Sequence, residues 1–301
     1  MLLNHLVSDE TATRRLRILK YRGSAHGTGE YPFLIDEHGV SVLPASSLGL
    51  RHTAPVERVS WGTPALDDMF GGEGLYRGSS VLVSGTAGTG KTSVAAGFVD
   101  AACTRGERAM YFAFEESPQQ ILRNMRSIGI DLMRQTDAGL LRIQAERPEH
   151  AGLEMHLVRL SREIDDFRPS VVVVDPITNL TSVGSYAGIR AMLTRLIDFM
   201  KTREITALYT SLTSGSEHLE TTDVGISSLM DVWLLLRNTE GDGGRTRGLY
   251  VLKARGIAHS SQVRGFRLSS RGVELTETDD VRPPAGRPPE ERSAPTPVAP
   301  S

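Results

Sequence analysis

Residues Gly85 to Thr92 have the types and spacing needed to bind the phosphates of a nucleotide. They read Gly-Thr-Ala-Gly-Thr-Gly-Lys-Thr and satisfy the G-x-x-x-x-G-K-[ST] pattern completely. Its glycines let backbone N–H groups turn toward phosphate oxygens, and a following helix adds a favourable dipole. Lys91 is expected to reach the β- and γ-phosphates, and Thr92 to ligate Mg²⁺. ATP and Mg²⁺ are the predicted cofactors. The predicted nucleotide-binding residues are Gly85, Thr86, Ala87, Gly88, Thr89, Gly90, Lys91, Thr92 and Ser93.

Carboxylates at two other places could complete this site. Four valines run into Asp175, which places a carboxylate at the end of a predicted buried strand, where it could hold Mg²⁺ through water. Glu115 and Glu116 end another predicted strand just before a helix, and one of them could act as a general base. Each has a structural alternative, because aspartate often forms turns at strand ends and acidic residues often cap a following helix.

Alternating strands and helices must position these residues. Apolar, β-branched runs predict strands at Ser80–Val83, Ala109–Phe114, Val171–Val174, Ile205–Thr210 and Val232–Leu236. Helical periodicity predicts helices at about 91–104, 118–128, 151–167 and 187–202. This alternation predicts an α/β fold with a parallel sheet covered on both faces. A turn cluster from Thr239 to Arg245 predicts that the sheet finishes in antiparallel hairpins.

A short stretch of the sequence occurs twice. Leu19 to His26 (Leu-Lys-Tyr-Arg-Gly-Ser-Ala-His) reappears as Leu252 to His259 (Leu-Lys-Ala-Arg-Gly-Ile-Ala-His), an offset of 252 − 19 = 233 residues. Only one phosphate-binding loop lies between the copies, so residues 1–45 are expected to be the last strands of a preceding copy of the domain. The predicted organisation is this remnant at 1–45, a linker at 46–57, a complete domain at 58–278 and a disordered proline-rich tail at 279–301.

Composition excludes several classes of protein. The formal net charge of −2 gives no electrostatic footprint for nucleic acid or an anionic membrane. No stretch approaches the ~20 apolar residues of a membrane span, and the first residues do not form a signal peptide. Cys103 is the single cysteine and lies in an alanine-rich helical pattern, which favours a buried, unpaired thiol. We therefore expect a soluble, cytoplasmic protein.

A set of motifs in fixed order carries a family resemblance over about residues 1–278. The motifs are Gly62-Thr-Pro-Ala-Leu-Asp67, Gly71-Gly72, the phosphate-binding loop, Phe112-Ala-Phe-Glu-Glu-Ser117, Val174-Asp175 and Lys253-Ala-Arg255-Gly256. Together they resemble the RecA-type ATPases and, within them, the KaiC family of clock ATPases. The resemblance implies two tandem RecA-like domains, of which this sequence matches the end of the first and all of the second. It also implies a homohexameric ring with ATP at subunit interfaces and phosphate transfer to the protein's own hydroxyls.

The resemblance also implies catalytic roles. Glu115 maps to the general base of the autokinase, with Glu116 beside it. Lys253 and Arg255 resemble a pair that reaches the γ-phosphate of the neighbouring subunit, where cations stabilise transition-state charge. Without the family, two basic residues alternating on a strand would more often form a solvated face.

The phosphoacceptors implied by the resemblance are Ser227 and Ser228. They fall at the family's adjacent Ser-Thr pair, with serine in place of the second threonine, and the hydroxyl nucleophile is kept. Thr222 and Asp223 match a nearby motif that tunes the acceptor site. The structural alternative is that the two serines only begin the next strand.

Two departures from the family limit what the resemblance implies. The first domain is nearly absent from this sequence, so Lys20 and Arg22 would have no partner site to serve within it. Either the protein starts upstream of Met1, or it is a shortened relative of the family. The segment after Thr278 does not resemble the region through which the family meets a stimulating partner, so a day-length oscillator is not inferred.

Three functions therefore stay open. The favoured prediction is an ATP-dependent serine/threonine autokinase with slow ATPase activity. The second is a ring ATPase that switches a signalling partner without phosphorylating itself. The third, a DNA-recombination ATPase, is weaker because the charge is balanced and no basic stripe with interleaved aromatic residues occurs.

Overall fold

The computed structural model describes residues 1–8, 11–27, 29–36, 39–42, 54–213, 226–241 and 244–276. The predicted tail at 279–301, most of the predicted linker at 46–57, and the segment 214–225 with Thr222 and Asp223 lie outside the described residues.

Strands and helices alternate along most of the described chain. The strands are β1 (Leu2–Ser8), β2 (Thr11–Arg17), β3 (Glu30–Asp36), β4 (Gly39–Val42), β5 (Arg58–Val59), β6 (Leu75–Tyr76), β7 (Ser80–Gly85), β8 (Ala109–Ala113), β9 (Leu141–Ala145), β10 (Val171–Asp175), β11 (Thr206–Leu212), β12 (Val232–Gly241), β13 (Gly244–Ala254), β14 (Arg264–Ser269) and β15 (Gly272–Thr276). The α-helices are α1 (Pro64–Asp68), α2 (Lys91–Thr104), α3 (Pro118–Arg126), α4 (Leu132–Asp137), α5 (Leu153–Phe167) and α6 (Tyr186–Lys201).

A nine-stranded sheet forms the centre of the main domain, in the order β15-β14-β13-β12-β7-β11-β10-β8-β9. Strands β12, β7, β11, β10, β8 and β9 are parallel to their neighbours in this order, whereas β13, β14 and β15 add antiparallel pairs at one side. The α/β fold class with antiparallel hairpins at the C-terminal end is therefore confirmed.

Helices cover both faces of this sheet because its central strands are apolar on both sides. On β10, Val171 and Val173 pack in the core layer that contains α2, while Val172 and Val174 pack in the layer that contains α5 and α6. All four valines are buried, as expected for a central parallel strand. Cys103 is a buried free thiol on α2, as its alanine-rich context predicts.

The predicted strands and helices are all present, with boundaries shifted by a few residues. The turn predicted from Thr239 to Arg245 is shorter than expected, because cross-strand pairing continues until Gly241 faces Gly244. The sequence patterns missed α4 and β9, which are short and rich in polar side chains. Within the described residues, no helix is both long enough and apolar enough to cross a lipid bilayer.

A separate antiparallel sheet in the order β1-β2-β3-β4 precedes the main domain. It packs against α5, where Arg15 Nη2 donates to Glu154 Oε1 at 2.6 Å, and Phe33 on β3 is buried. The ion pair is partly exposed and contributes about 0–1 kcal/mol.

This first sheet repeats the architecture of β12–β15. Ser8 pairs with Thr11 at the end of β1, and Gly241 pairs with Gly244 at the end of β12, again 233 residues later. The β3–β4 and β14–β15 turns keep the same offset and register. The repeat thus extends from one short motif to four strands, which supports the prediction that residues 1–45 correspond to the end of an equivalent domain.

Candidate functional site

The phosphate-binding loop joins β7 to α2 and has the shape that its glycines allow. Gly90 adopts φ +102° as the residue before the helix, and a side chain there would meet the Phe266 ring at 2.7 Å. Thr89 is buried, and its hydroxyl donates to Thr86 O at 2.9 Å. Ala87 and Gly88 form the exposed tip of the loop, whereas Ser93 is buried on α2. The loop is therefore held in shape by its own contacts and by the C-terminal hairpin.

Lys91 is buried inside the curve of this loop. Its Nζ donates to Gly85 O at 2.9 Å and to Thr86 O at 2.8 Å. Burial lowers the pKa of the Lys91 ammonium to about 8, while the charges of Asp175 and Glu115 oppose that shift. A bound phosphate would place additional negative charge beside this buried ammonium and stabilise its charged form. The loop is therefore suited to an anionic ligand.

Asp175 ends β10 beside the loop and is 8% exposed. One carboxylate oxygen accepts a hydrogen bond from the Tyr111 hydroxyl on β8, and the other accepts one from the Thr210 hydroxyl on β11. Both oxygens of Asp175 are therefore held by hydroxyls of neighbouring strands. The alternative that Asp175 only forms a turn at the end of its strand does not describe these contacts.

The predicted metal ligands fit Mg²⁺ only together with a nucleotide. Thr92 and Asp175 offer hard oxygen donors, which Mg²⁺ prefers. Across the part of the chain that the structure describes, no group of three or more His, Cys, Asp or Glu residues could hold a metal by itself. Phosphate oxygens and water would complete the coordination, as is usual for Mg²⁺ bound with nucleotides.

Glu115 and Glu116 follow β8 at the same edge of the sheet, and neither caps the next helix. Ser117 does so through a capping box, in which its hydroxyl accepts from Gln120 N at 3.3 Å and Gln120 Oε1 accepts from Ser117 N at 2.8 Å. Glu116 is half-buried and accepts from Asn124 Nδ2 at 2.9 Å. Glu115 is exposed, and its charge acts on Lys91. Within the part of the chain that the structure describes, no hydrogen bond or ion pair engages the Glu115 carboxylate, so of the two it is the one available to a substrate.

A second cluster surrounds residues 226–231, which we call the serine turn. Ser228 is exposed and Ser227 is half-buried. Lys253 Nζ donates to Ser227 O at 2.9 Å, and Arg255 Nη2 donates to Ser228 O at 2.7 Å. Burial lowers the pKa of Lys253, and the neighbouring charge of Arg255 adds to that effect. Both basic residues therefore hold the serine turn, although the Arg255 side chain also remains exposed to solvent.

Three residues that sequence patterns did not single out complete this cluster. Arg190 Nη2 on α6 donates to the Ser228 hydroxyl at 3.2 Å. Asp231 accepts from Ser80 N at 2.9 Å and pairs with Lys201 at 2.7 Å. Arg190 and Lys201 lie on α6, far from the serines in sequence, whereas Asp231 ends the serine turn itself and joins it to the start of β7 through Ser80.

The two clusters lie at opposite ends of the parallel strands. We call the carboxyl ends, which carry the phosphate-binding loop, the loop edge of the sheet, and the amino ends, which carry the serine turn, the serine edge. Asp231 N donates to Ser80 O at the start of β7, and the phosphate-binding loop begins at Gly85, where β7 ends. Six residues of extended strand separate these points by about 17 Å. Because β8 and β10 are parallel neighbours, Glu115 and Asp175 lie at the loop's edge. The serines and their basic partners lie at the other edge.

Comparisons with known proteins identify the family to which the chain belongs. The family model described as "ATPase: KaiC" matches residues 59–280. Circadian clock protein KaiC2 of Synechocystis sp. is 52% identical over 277 residues, which cover 91% of this chain and 49% of that protein. Circadian clock oscillator protein KaiC of Synechococcus elongatus is 37% identical over 281 residues, which cover 92% of this chain and 54% of its own length. The chain spans about half the length of the curated relatives that it matches. With a RecA-like sheet, a complete phosphate-binding loop and these relatives, the chain belongs to the KaiC family of ATPases.

Proposed function

We propose that this ATPase is also a serine autokinase that acts between subunits. In this proposal, MgATP bound at one subunit phosphorylates Ser227 or Ser228 of its neighbour, and slow ATP hydrolysis accompanies the transfer. The observation that carries the proposal is the placement of the two clusters at opposite edges of one sheet. About 17 Å of strand separates them, whereas reacting atoms must approach to roughly 3–3.5 Å.

A neighbouring subunit would resolve this separation. If the loop edge of one copy faces the serine edge of the next, each interface contains one nucleotide site and one acceptor turn. Closed rings arise from such heterologous contacts. The proposed assembly is therefore a homo-oligomeric ring, with a hexamer as the size that the family resemblance implies.

The chemistry assigns a role to each side chain. Glu115 accepts the serine proton, the serine Oγ forms a bond to the γ-phosphorus, and the bond from that phosphorus to the β-phosphate oxygen breaks, which releases ADP. Lys91 holds the β- and γ-phosphates. Mg²⁺ held by Thr92 and Asp175 would neutralise phosphate charge when bound.

Lys253 and Arg255 supply positive charge on the acceptor side. Both cations donate to backbone carbonyls of the two serines, which supports a role for them near the acceptor turn. Across an interface, these cations would stabilise the charge that develops on the transferring group. Their two functions, holding the turn and stabilising the transition state, are compatible because each cation has several N–H donors.

A second candidate function is a ring ATPase that regulates a partner protein without phosphorylating itself. The hydrogen bond from Arg190 to the Ser228 hydroxyl favours it, because a serine with a structural partner need not be an acceptor. The relatives are named as circadian clock proteins. For this chain we propose signalling or circadian-type regulation in the cytoplasm as the setting for either function.

Phosphopeptide mass spectrometry after incubation with MgATP tests the proposal. Phosphate is expected on Ser227 or Ser228 of the assembled protein, and it should be absent from Lys91→Ala and from the double variant Ser227→Ala/Ser228→Ala. ATP hydrolysis by the assembled protein with no phosphate on either serine would reject the autokinase and leave the regulatory ATPase.

A further inference from the structure

Tyr111 is a fully buried tyrosine whose hydroxyl lies among the predicted metal ligands. It sits on β8 beneath α2, within the core layer that supports the phosphate-binding loop. Its hydroxyl donates to Asp175 Oδ2. The phenol thus holds one oxygen of a side chain that is proposed to support Mg²⁺.

Thr210 holds the same carboxylate from the other side. It is fully buried on β11, and its hydroxyl donates to Asp175 Oδ1. Because β8 and β11 flank β10, the two hydroxyls approach the carboxylate from the two neighbouring strands. Burying a hydroxyl without a partner is costly, so both donors and the carboxylate depend on one another.

We propose that Tyr111 and Thr210 are positioning residues for the magnesium site. Their hydroxyls fix both oxygens of Asp175, so this carboxylate is oriented before nucleotide and metal arrive. Hydrogen bonds from residues behind a metal ligand orient that ligand and raise metal affinity. The inference rests on the MgATP site of the proposed function and does not depend on phosphate transfer.

A role confined to fold stability would predict a different result. In that case, loss of the Tyr111 hydroxyl would lower the melting temperature and leave the requirement for Mg²⁺ unchanged. A positioning role predicts that a folded variant needs more Mg²⁺ to bind the nucleotide, while metal-free nucleotide binding stays the same.

The experiment measures binding of a fluorescent ATP analogue at fixed concentration as Mg²⁺ is added, and again in EDTA. Tyr111→Phe should raise the half-saturating Mg²⁺ concentration about tenfold, with unchanged binding in EDTA. The matched control is Tyr209→Phe, which removes another fully buried hydroxyl whose partner is Met200 Sδ at 3.6 Å. This control should leave the Mg²⁺ titration unchanged.

Thr210→Val gives an independent test if Tyr111→Phe does not fold, and it should shift the Mg²⁺ titration in the same direction. An unshifted titration in a folded variant would overturn the inference, as would equal weakening with and without Mg²⁺. If the wild-type protein bound the analogue equally well in EDTA and in Mg²⁺, the proposed metal site itself would be rejected, and the inference with it.

Discussion

At one edge of the parallel sheet, a glycine-rich loop encloses a buried lysine that two carboxylates face; at the other, basic side chains hold an exposed serine turn. Lys91 and Asp175 are each 8% exposed, whereas the Arg255 side chain is 54% exposed and Ser228 is open to solvent. The lysine and the aspartate of the nucleotide half are thus buried within a single chain. The serine half leaves Arg255 and Ser228 exposed to solvent, so a neighbouring subunit could bind over them and complete the site.

The two edges also differ in how their charges are balanced. At the loop edge, Asp175 and Glu115 face a lysine whose pKa is lowered by burial. At the serine edge, Lys253 and Arg255 meet one acid, Asp231. Bringing these edges together would place positive charge against the negative charge of a nucleotide, so the contrast predicts how subunits face each other.

The substitution with the largest expected effect is Glu115→Gln, which removes the proposed general base from the loop edge. Loss of the general base is expected to slow serine phosphorylation by roughly 10²–10⁴-fold, with nucleotide binding retained. Phosphopeptide quantification over time would measure the rate. The matched control is Glu116→Gln, which should have a much smaller effect because Asn124 already engages that carboxylate. Equal losses in both variants would contradict the assignment of the base.

At the serine edge, Arg255→Ala is expected to slow phosphorylation by about 10²-fold, because one cation near the transferring group is lost. The change should leave the affinity of the same subunit's loop for ATP unaltered. Arg203→Ala is the control, since Arg203 pairs with Asp165 away from the serine turn. A similar rate for Arg255→Ala and wild type would remove Arg255 from the reaction.

Nucleotide binding should respond to pH through Lys91. Its pKa is about 8, compared with an ordinary 10.5, so the ammonium loses its proton as the pH rises through 8. ATP affinity is expected to be constant below that pH and to fall above it by at most about tenfold per pH unit. Isothermal titration between pH 6.5 and 9.5 would show the decline. Lys91→Arg, which stays charged, should give a flat profile over this range.

The smallest expected effect concerns the attachment of the serine turn to the sheet. Asp231→Asn removes the charge that pairs with Lys201 in a mostly buried position, and should lower the free energy of unfolding by about 1–3 kcal/mol. Asp165→Asn breaks a more exposed pair with Arg203 and should cost about 0–1 kcal/mol. Denaturant unfolding would compare them, and a reversed order would mean that Asp231 does not anchor the turn.

Sequence patterns predicted the loop edge better than the serine edge, for a physical reason. The phosphate-binding loop is a local motif, and its strand and helix follow from nearby periodicity. Tyr111 and Thr210 act on Asp175 only because β8 and β11 flank β10, and strand order is not a local property. The same applies to Arg190 and Lys201 on α6, which reach the serine turn through tertiary packing and not through nearness in sequence.

The antiparallel end of the sheet shows what a repeat adds to such predictions. The match between Leu19–His26 and Leu252–His259 predicts, from sequence alone, that the two segments belong to equivalent groups of strands. The shared register of β1–β4 and β12–β15 agrees with it. The two groups of strands differ in what lies next to their first strand. Strand β12 pairs with β7 of the parallel sheet, whereas the equivalent strand β1 has exposed leucines at Leu2 and Leu3.

The most direct test of a site divided between two edges mixes two inactive variants. Lys91→Ala lacks the nucleotide half, and Ser227→Ala/Ser228→Ala lacks the acceptor half. After subunit exchange in the presence of MgATP, phosphate should appear on Ser227 or Ser228 of the Lys91→Ala chains, although neither variant is phosphorylated alone. If wild-type protein is phosphorylated but the mixed assembly never is, transfer between subunits is contradicted.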